Sequence, residues 1–215
     1  MVEGGERGQL HLDPRLPDGA EATVFGLVDQ ARSAVSRGLG LSSPAPAVYV
    51  YFDEQLLKAA ACINEDVVAF YDGALHLVVG RPDLLVSVVH EYTHHALFSS
   101  GLMGPAWAQE GIAMNVAGET WWRRPELLQA LLQLPFSADQ LDRTIAYKLP
   151  SQQAVSFYVQ SALTVECLKA TRGWTLQQLT DTLRAGNASD SLSYDLPELE
   201  RSSFLGDCVA AIGRR

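Results

Sequence analysis

The sequence predicts an α+β fold in which a small β-sheet precedes a mainly helical remainder. Two observations carry this prediction: runs of β-branched and aromatic residues stop before residue 80, and apolar residues at helical spacing dominate from Arg81 onward. The composition, with 47% hydrophobic and 19% charged residues over 215 positions, is that of an ordinary globular protein. No apolar run reaches the roughly 18 residues that a membrane helix needs, so no membrane span is expected.

The chain is expected to form one domain behind a short leader. Residues 1–17 are rich in Gly, Pro and charge, and they are predicted to be loosely ordered. Residues 18–215 form the domain, with a helix, the sheet and a second helix in 18–103 and a helical part in 104–215. No signal peptide is visible, and the compartment stays open.

Charge and cysteine content exclude some classes of function. The net charge of -9 repels a phosphate backbone, so nucleic acid is not an expected partner. The three cysteines, Cys62, Cys167 and Cys208, lie far apart and include no Cys-x-x-Cys pair. Because their number is odd, buried free thiols are expected rather than a disulfide framework.

The N-terminal elements follow from apolar spacing and turn residues. Apolar residues at helical spacing from Val24 to Val35 predict a helix that ends near Gly38 and Gly40. The run from Val48 to Phe52 is typical of a strand. Residues 67–79 predict a hairpin because Asp72-Gly73 favours the tight turn that joins twisted strands.

Four helices are marked in the remainder by Pro, Gly and capping residues, and a fifth is weakly marked. They are predicted from Pro82 to Ser99, from Pro105 to near Gly118, from a Ser151 cap to Thr171, from a capping box of Thr175 and Gln178, and over Pro197–Ile212.

The first of these helices carries a metal-binding pattern. His90 and His94 are four residues apart and therefore lie on one helix face, close enough to bind one ion. Glu91 lies about 100° around the helix from His90, near the metal without being forced to bind it. Zinc bound by such a pair lowers the pKa of water to near ~7, and the glutamate suits the role of general base. The sequence therefore predicts a Zn²⁺ cofactor, with an accidental motif among ordinary core histidines as the alternative.

A third zinc ligand is expected from the next helix, because zinc sites have at least three protein donors. Glu110 lies there among mostly small and apolar residues, with Trp107 and Met114 on the same face. Gly111 is unfavourable in a helix, and its presence indicates that two backbones approach closely. A solvent-facing Glu110 is the alternative.

These residues resemble a known family. His90-Glu-Tyr-Thr-His94 followed by Pro105-Ala-Trp-Ala-Gln-Glu110-Gly-Ile-Ala113 is similar to the gluzincin metallopeptidases, especially the peptidase MA-like or minigluzincin group. The resemblance implies a zincin-like fold and zinc-dependent hydrolysis of peptide or protein substrates. It also implies His90, His94 and Glu110 as zinc ligands and Glu91 as general base.

The resemblance suggests further site residues. Ala69-Phe70-Tyr71 looks like the edge strand on which gluzincins bind extended substrate, so main-chain groups of Ala69 and Phe70 are expected to pair with a peptide; an ordinary strand is the alternative. Tyr158 resembles the tyrosine of this family that donates a hydrogen bond to the oxyanion, and it is preferred over Tyr147 for that role. The alternative is that Tyr158 is a tyrosine packed in the core.

Some features depart from the family pattern or have an ordinary interpretation. The region Met114-Asn115, where thermolysin-like gluzincins carry an Asp that orients a zinc-bound imidazole, has no carboxylate. His95 points away from His94 and is not expected to bind the same ion. His76 is expected to be a surface or hydrogen-bonded histidine. A catalytically idle, zinc-stabilised protein-interaction domain is therefore the alternative to a peptidase.

Overall fold

The computed structural model describes residues 8–61, 68–102, 104–144, 149–186 and 203–212. It confirms an α+β protein with a small mixed four-stranded sheet and predominantly helical structure. The chain divides into two compact units, Met1–Ser100 and Gly101–Arg215. The first unit contains strands β1 (Leu10–Leu12), β2 (Val48–Tyr51), β3 (Ala69–Tyr71) and β4 (Leu75–Val78) and helices α1 (Ala20–Leu39), α2 (Glu54–Ala61) and α3 (Leu84–Ser99).

The sheet has the strand order β1-β2-β4-β3. Strands β1 and β4 pair in parallel with β2, whereas β3 pairs antiparallel with β4. Strand β1 lies inside the segment predicted as a leader. It is held by backbone hydrogen bonds to β2, including Val48 N to Gln9 O at 2.8 Å and Asp13 N to Val50 O at 3.0 Å.

The predicted hairpin is confirmed for the described residues, and Val67, its predicted first residue, lies outside them. Tyr71 pairs with Leu75, so the connection comprises three residues rather than the Asp72-Gly73 pair alone. Gly73 has φ 114°, a conformation that side chains with a Cβ rarely adopt. The chain therefore reverses at the predicted glycine.

The two faces of the sheet differ in chemistry. One face buries apolar side chains of β2 and β4, among them Val48, Val50, Leu75 and Leu77. The other face carries an aromatic row of one residue from each strand, His11, Tyr49, His76 and Phe70, which are register partners. Neighbouring rings of the row are stacked, with centroids 4.4, 5.1 and 4.2 Å apart.

The helices of the first unit largely match their predicted bounds. Helix α1 buries Val24, Val28 and Val35 and ends at Gly40, which has φ 66°. Helix α3 packs against α1, β3 and β4. Helix α2 was not predicted; it begins after Asp53, whose carboxylate accepts a hydrogen bond from the backbone N–H of Leu56 at 3.0 Å.

The second unit is helical in its described residues. Its elements are α4 (Ala106–Ala117), a 3₁₀ turn (Trp121–Arg123), α5 (Pro125–Gln133), α6 (Ala138–Arg143), α7 (Ser151–Arg172), α8 (Leu176–Gly186) and α9 (Phe204–Ile212). Helix α7 is central because α4, α5 and α9 all pack against it. Its core includes Met114, Trp122, Leu131, Val159, Leu163 and Phe204.

Helix starts test the capping predictions. The predicted box before α8 is confirmed, since the Thr175 hydroxyl accepts from Gln178 N at 3.1 Å and the Gln178 side chain accepts from Thr175 N at 2.8 Å. The predicted Ser151 cap is wrong by one position, because Pro150 has an extended backbone and precedes the first helical residue, Ser151. Residues 197–202 of the last predicted helix lie outside the described residues.

The expectation of free thiols is wrong for two cysteines. Cys167 on α7 and Cys208 on α9 form a disulfide across a sequence separation of 41 residues. Because α9 packs against α7, it brings the two Cα atoms to 5.3 Å, a proximity that sequence spacing does not reveal. Cys62 lies outside the described residues. In the described parts of the chain, no helix is both long enough and apolar enough to span a bilayer.

Candidate metal centre

Helix α3 is apolar on most of its circumference. Its buried residues include Val88, Tyr92 and Ala96, which face α1 and the sheet. His90, Glu91 and His94 are only half-buried. The helix therefore presents these polar groups on a face that is only partly covered.

The two predicted histidine ligands are correctly placed for a single ion. The His90 and His94 Nε2 atoms are 3.1 Å apart. Two nitrogens on a tetrahedral zinc, each at ~2.0–2.1 Å, are separated by about 3.3 Å. The observed separation is within a few tenths of an ångström of that value, so the imidazole pair fits zinc.

The third predicted ligand completes a group that could hold a metal ion. His90, His94 and Glu110 each offer one ligand atom, and these atoms lie within 4.8 Å of one another. Two imidazole nitrogens and one carboxylate oxygen form the ligand set found in one class of catalytic zinc sites, which keep a fourth position open. The predicted convergence of these three residues is confirmed, whereas the identity of the metal remains a prediction.

The position of Glu110 depends on a close approach between α4 and α7. A Cβ added at the adjacent Gly111 would collide with the carbonyl oxygen of Ser161 and lie 2.6 Å from Val165 Cγ2. The close backbone contact predicted from Gly111 is therefore confirmed. No larger residue fits there unless α4 moves, and a moving α4 would carry Glu110 with it.

Further contacts fix α4 along its length. The Trp107 indole N–H donates to Asp142 Oδ1 at 2.8 Å, and Trp107 is fully buried. Asn115 Nδ2 donates to Gly111 O at 2.9 Å, and Asn115 Oδ1 accepts from Lys169 Nζ at 3.0 Å. Asn115 therefore ties α4 to α7.

Asp142 had no signal in the sequence. It lies on the short helix α6, 35 residues after Trp107 in the chain. Only the packing of α6 on α4 brings the carboxylate to the indole. One of two aspartates in a short polar helix gives no pattern from which this pairing could be predicted.

Tyr158 packs against the core of the second unit. Its partly buried ring contacts the cluster that contains Val159, Leu163 and Trp122, and it meets Phe157 edge-on with centroids 6.1 Å apart. This packing fits the alternative of a core tyrosine, and a role as oxyanion donor stays a prediction. Tyr147 lies outside the described residues.

Strand β3 forms an edge of the described sheet, where β4 is its pairing partner. The hydrogen bonds of Val78 N to Val68 O and Asp72 N to Ala74 O fix which residues face β4. In an antiparallel ladder these bonded pairs alternate with non-bonded ones. By that alternation, main-chain groups of Phe70 bond to His76, whereas those of Ala69 and Tyr71 point away from β4.

His95 is a buried, hydrogen-bonded side chain, 6% exposed. Its Nε2 lies 2.8 Å from the Pro44 carbonyl oxygen and its Nδ1 lies 3.4 Å from the Tyr71 hydroxyl. Burial lowers the pKa of His95 below its usual range, although the bond to Pro44 acts in the opposite direction. As expected from its direction on the helix, His95 is not among the grouped ligand atoms.

His76 matches its predicted character as a hydrogen-bonded histidine. Nδ1 pairs with the Tyr51 hydroxyl at 2.8 Å, and Nε2 pairs with Asp72 Oδ1 at 3.0 Å. Both ring nitrogens are therefore engaged within the sheet and its turn.

Comparisons with known proteins do not assign a family to the chain. No family model matches the chain, and no curated protein sequence is significantly similar to it.

Proposed function

We propose that the chain is a zinc-dependent peptidase of gluzincin type. The observation that carries the proposal is the grouping of His90, His94 and Glu110 within 4.8 Å. This ligand set follows the sequence pattern His-Glu-x-x-His, in which a glutamate directly follows the first ligand. Zinc held there would supply a Lewis acid and would lower the pKa of bound water to about 7.

A zincin-like fold is part of the proposal. In the first unit, the mixed sheet packs on α3, and β3 is the antiparallel strand at the sheet edge. This arrangement supports the resemblance that the sequence motifs suggest. The helix α3, which carries the proposed histidine ligands, packs directly on β3, the strand proposed to bind substrate.

Glu91 has the central chemical role in the proposal. Its carboxylate would accept a proton from the attacking water and then pass that proton to the leaving amine of the cleaved peptide bond. The residue is half-buried on α3, so its carboxylate is partly shielded from bulk water. Such shielding keeps proton transfer within the site.

An extended peptide would bind along the edge of β3. The N–H and C=O groups of Ala69 and Tyr71 point outward by the ladder alternation, so they are the groups that an added strand would use. The proposal therefore keeps the main chain of Ala69 as a peptide-binding group, as the sequence predicts. The main chain of Phe70 is occupied by β4, and its side chain stacks in the aromatic row.

The decisive experiment is peptide cleavage by zinc-loaded protein, measured by mass spectrometry on a diverse peptide library. Glu91→Gln is expected to lower kcat by about 10²- to 10⁴-fold because the general base is lost. The variant should retain one zinc per chain, since Glu91 is not a ligand. Glu21→Gln, an exposed glutamate in the first turn of α1, is the matched control and should cleave as wild type.

The outcomes separate the alternatives. Stoichiometric zinc with no cleavage by wild type would indicate the idle, zinc-stabilised interaction domain. Absence of zinc binding would indicate an accidental motif. Cleavage that persists in Glu91→Gln would contradict the assigned base.

A further inference from the structure

We propose that His95 is a positioning residue that ties strand β3 to the metal-ligand helix α3 and so sets where an extended peptide binds. The inference rests on the proposed function. It concerns a histidine outside the ligand set, about 100° around α3 from the adjacent ligand His94.

The hydrogen bonds of His95 define its tautomer. A carbonyl oxygen can only accept, so the contact with Pro44 O places the proton on Nε2. In the neutral ring Nδ1 then has a lone pair, and the Tyr71 hydroxyl is oriented to donate to it. His95 therefore links the segment before β2 to the edge strand through one ring.

The ring contacts hold Tyr71 against α3. The Tyr71 ring meets His95 edge-on with centroids 5.5 Å apart, and it meets Phe98, one turn further along, at 6.4 Å. The Tyr92 ring meets His95 from the same helix at 5.5 Å. The imidazole is thus enclosed by aromatic rings, which leaves it little freedom to move.

Tyr71 connects His95 to the edge of β3 at which the peptide is proposed to bind. Its side chain faces α3, while its N–H and C=O point away from β4. His95 directly follows the proposed ligand His94 on a continuous helix. A shift of Tyr71 relative to His95 would therefore displace a bound peptide relative to the metal.

The test measures kcat and KM for a peptide substrate identified with wild type, together with zinc affinity. Tyr71→Phe removes only the hydroxyl and is expected to raise KM about threefold to tenfold, with kcat within about twofold and zinc affinity unchanged. His95→Leu removes both hydrogen bonds and should raise KM further. His95→Gln should restore KM, because a carboxamide can donate to Pro44 O and accept from Tyr71.

Tyr51→Phe is the matched control. It also removes a tyrosine hydroxyl that is bonded to a buried histidine, His76, but on the other face of the sheet. It is expected to leave KM unchanged. A double-mutant cycle adds a second check: Tyr71→Phe should add little in the His95→Leu background, since the two act through one contact.

The inference is overturned if KM is unchanged in Tyr71→Phe and His95→Leu. It is also overturned if the rise in KM is accompanied by a loss of zinc affinity, or if Tyr51→Phe raises KM as much as Tyr71→Phe does. A wild type that cleaves no peptide overturns the proposed function and this inference with it. A wild type that cleaves, with variants of unchanged KM, overturns the inference alone.

Discussion

At the scale of single residues, the same helix carries histidines with different roles. His90 and His94 share one half-buried face, with Nε2 atoms 3.1 Å apart. His95 lies one position further and about 100° around, and it is buried with a carbonyl and a phenol as partners. Both ring nitrogens of His95 are engaged by these two partners, so this imidazole is not placed to bind a metal.

This difference predicts the result of removing a ligand. His90→Ala leaves two protein donors, and it is expected to weaken zinc binding more than about a hundredfold, since loss of an outer hydrogen-bond partner alone costs 10–100-fold. His11→Ala is the control, because His11 is exposed and stacks on Tyr49. Competition with a chromophoric chelator measures both. Equal affinities for the two variants would contradict the assigned ligand.

At the scale of elements, the contact between α4 and α7 sets the position of Glu110. Gly111 allows this contact, since a Cβ there has no room beside Ser161 and Val165. Asn115 bonds to the Ala162 carbonyl at 3.5 Å and to Lys169. Helix α4 is thus held by a close backbone approach and by polar bonds one turn further on.

Gly111→Ala is therefore expected to lower the free energy of unfolding by about 1–3 kcal/mol through overpacking and to weaken zinc binding. Gly206→Ala is the control within the same unit, because a Cβ at Gly206 on α9 would have nothing within 4 Å. That change should raise stability by about 0.5–1 kcal/mol. Chemical denaturation followed by tryptophan fluorescence measures both. A Gly111→Ala protein as stable as wild type would show that α4 has room to shift.

At the scale of the whole molecule, the disulfide constrains the second unit. Cys167 and Cys208 close a loop of 41 residues between α7 and α9, and both are buried. Loop closure of this length reduces the entropy of the unfolded chain. All four tryptophans of the sequence lie after residue 100, so their fluorescence reports the unfolding of this unit.

Replacing both cysteines with alanine is expected to lower the free energy of unfolding by about 2–4 kcal/mol. The measurement is guanidinium denaturation followed by tryptophan fluorescence. Reducing agent should shift wild type in the same direction and leave the double variant unchanged. If wild type is insensitive to reduction once the reductant has access, the disulfide does not stabilise the unit.

The features of the fold and the site that the sequence predicts are those set by residues close together in the chain. The His90 and His94 pair was predictable because helix geometry relates residues four apart, and the close approach at Gly111 was predictable because glycine is costly in a helix. The sequence predicts Phe70 as a peptide-binding residue, whereas the ladder with β4 turns the main chain of Tyr71 outward and that of Phe70 inward. The hydrogen bonds of Val78 N to Val68 O and of Asp72 N to Ala74 O show that alternation, and nothing in the sequence pattern reveals it.

The features that were missed arise from contacts between distant segments. The disulfide requires α9 to pack on α7, and the Trp107 to Asp142 bond requires α6 to pack on α4. Strand β1 depends on pairing with β2, because three residues in a polar context carry no periodicity of their own. A local sequence pattern does not indicate which distant segments come into contact.

The aromatic row, with one ring from each strand, has a consequence for folding fidelity. Side chains alternate between faces along a strand, so a one-residue slip of β1, β2 or β4 would send its ring to the opposite face and bring an aliphatic neighbour into its place. For β1, such a slip would set Leu10 or Leu12 beside Tyr49 in place of His11. Each correct cross-strand pair is worth a few tenths of a kcal/mol to about 1 kcal/mol. A misaligned strand would lose these stacking contacts, so the row favours the correct register of all four strands.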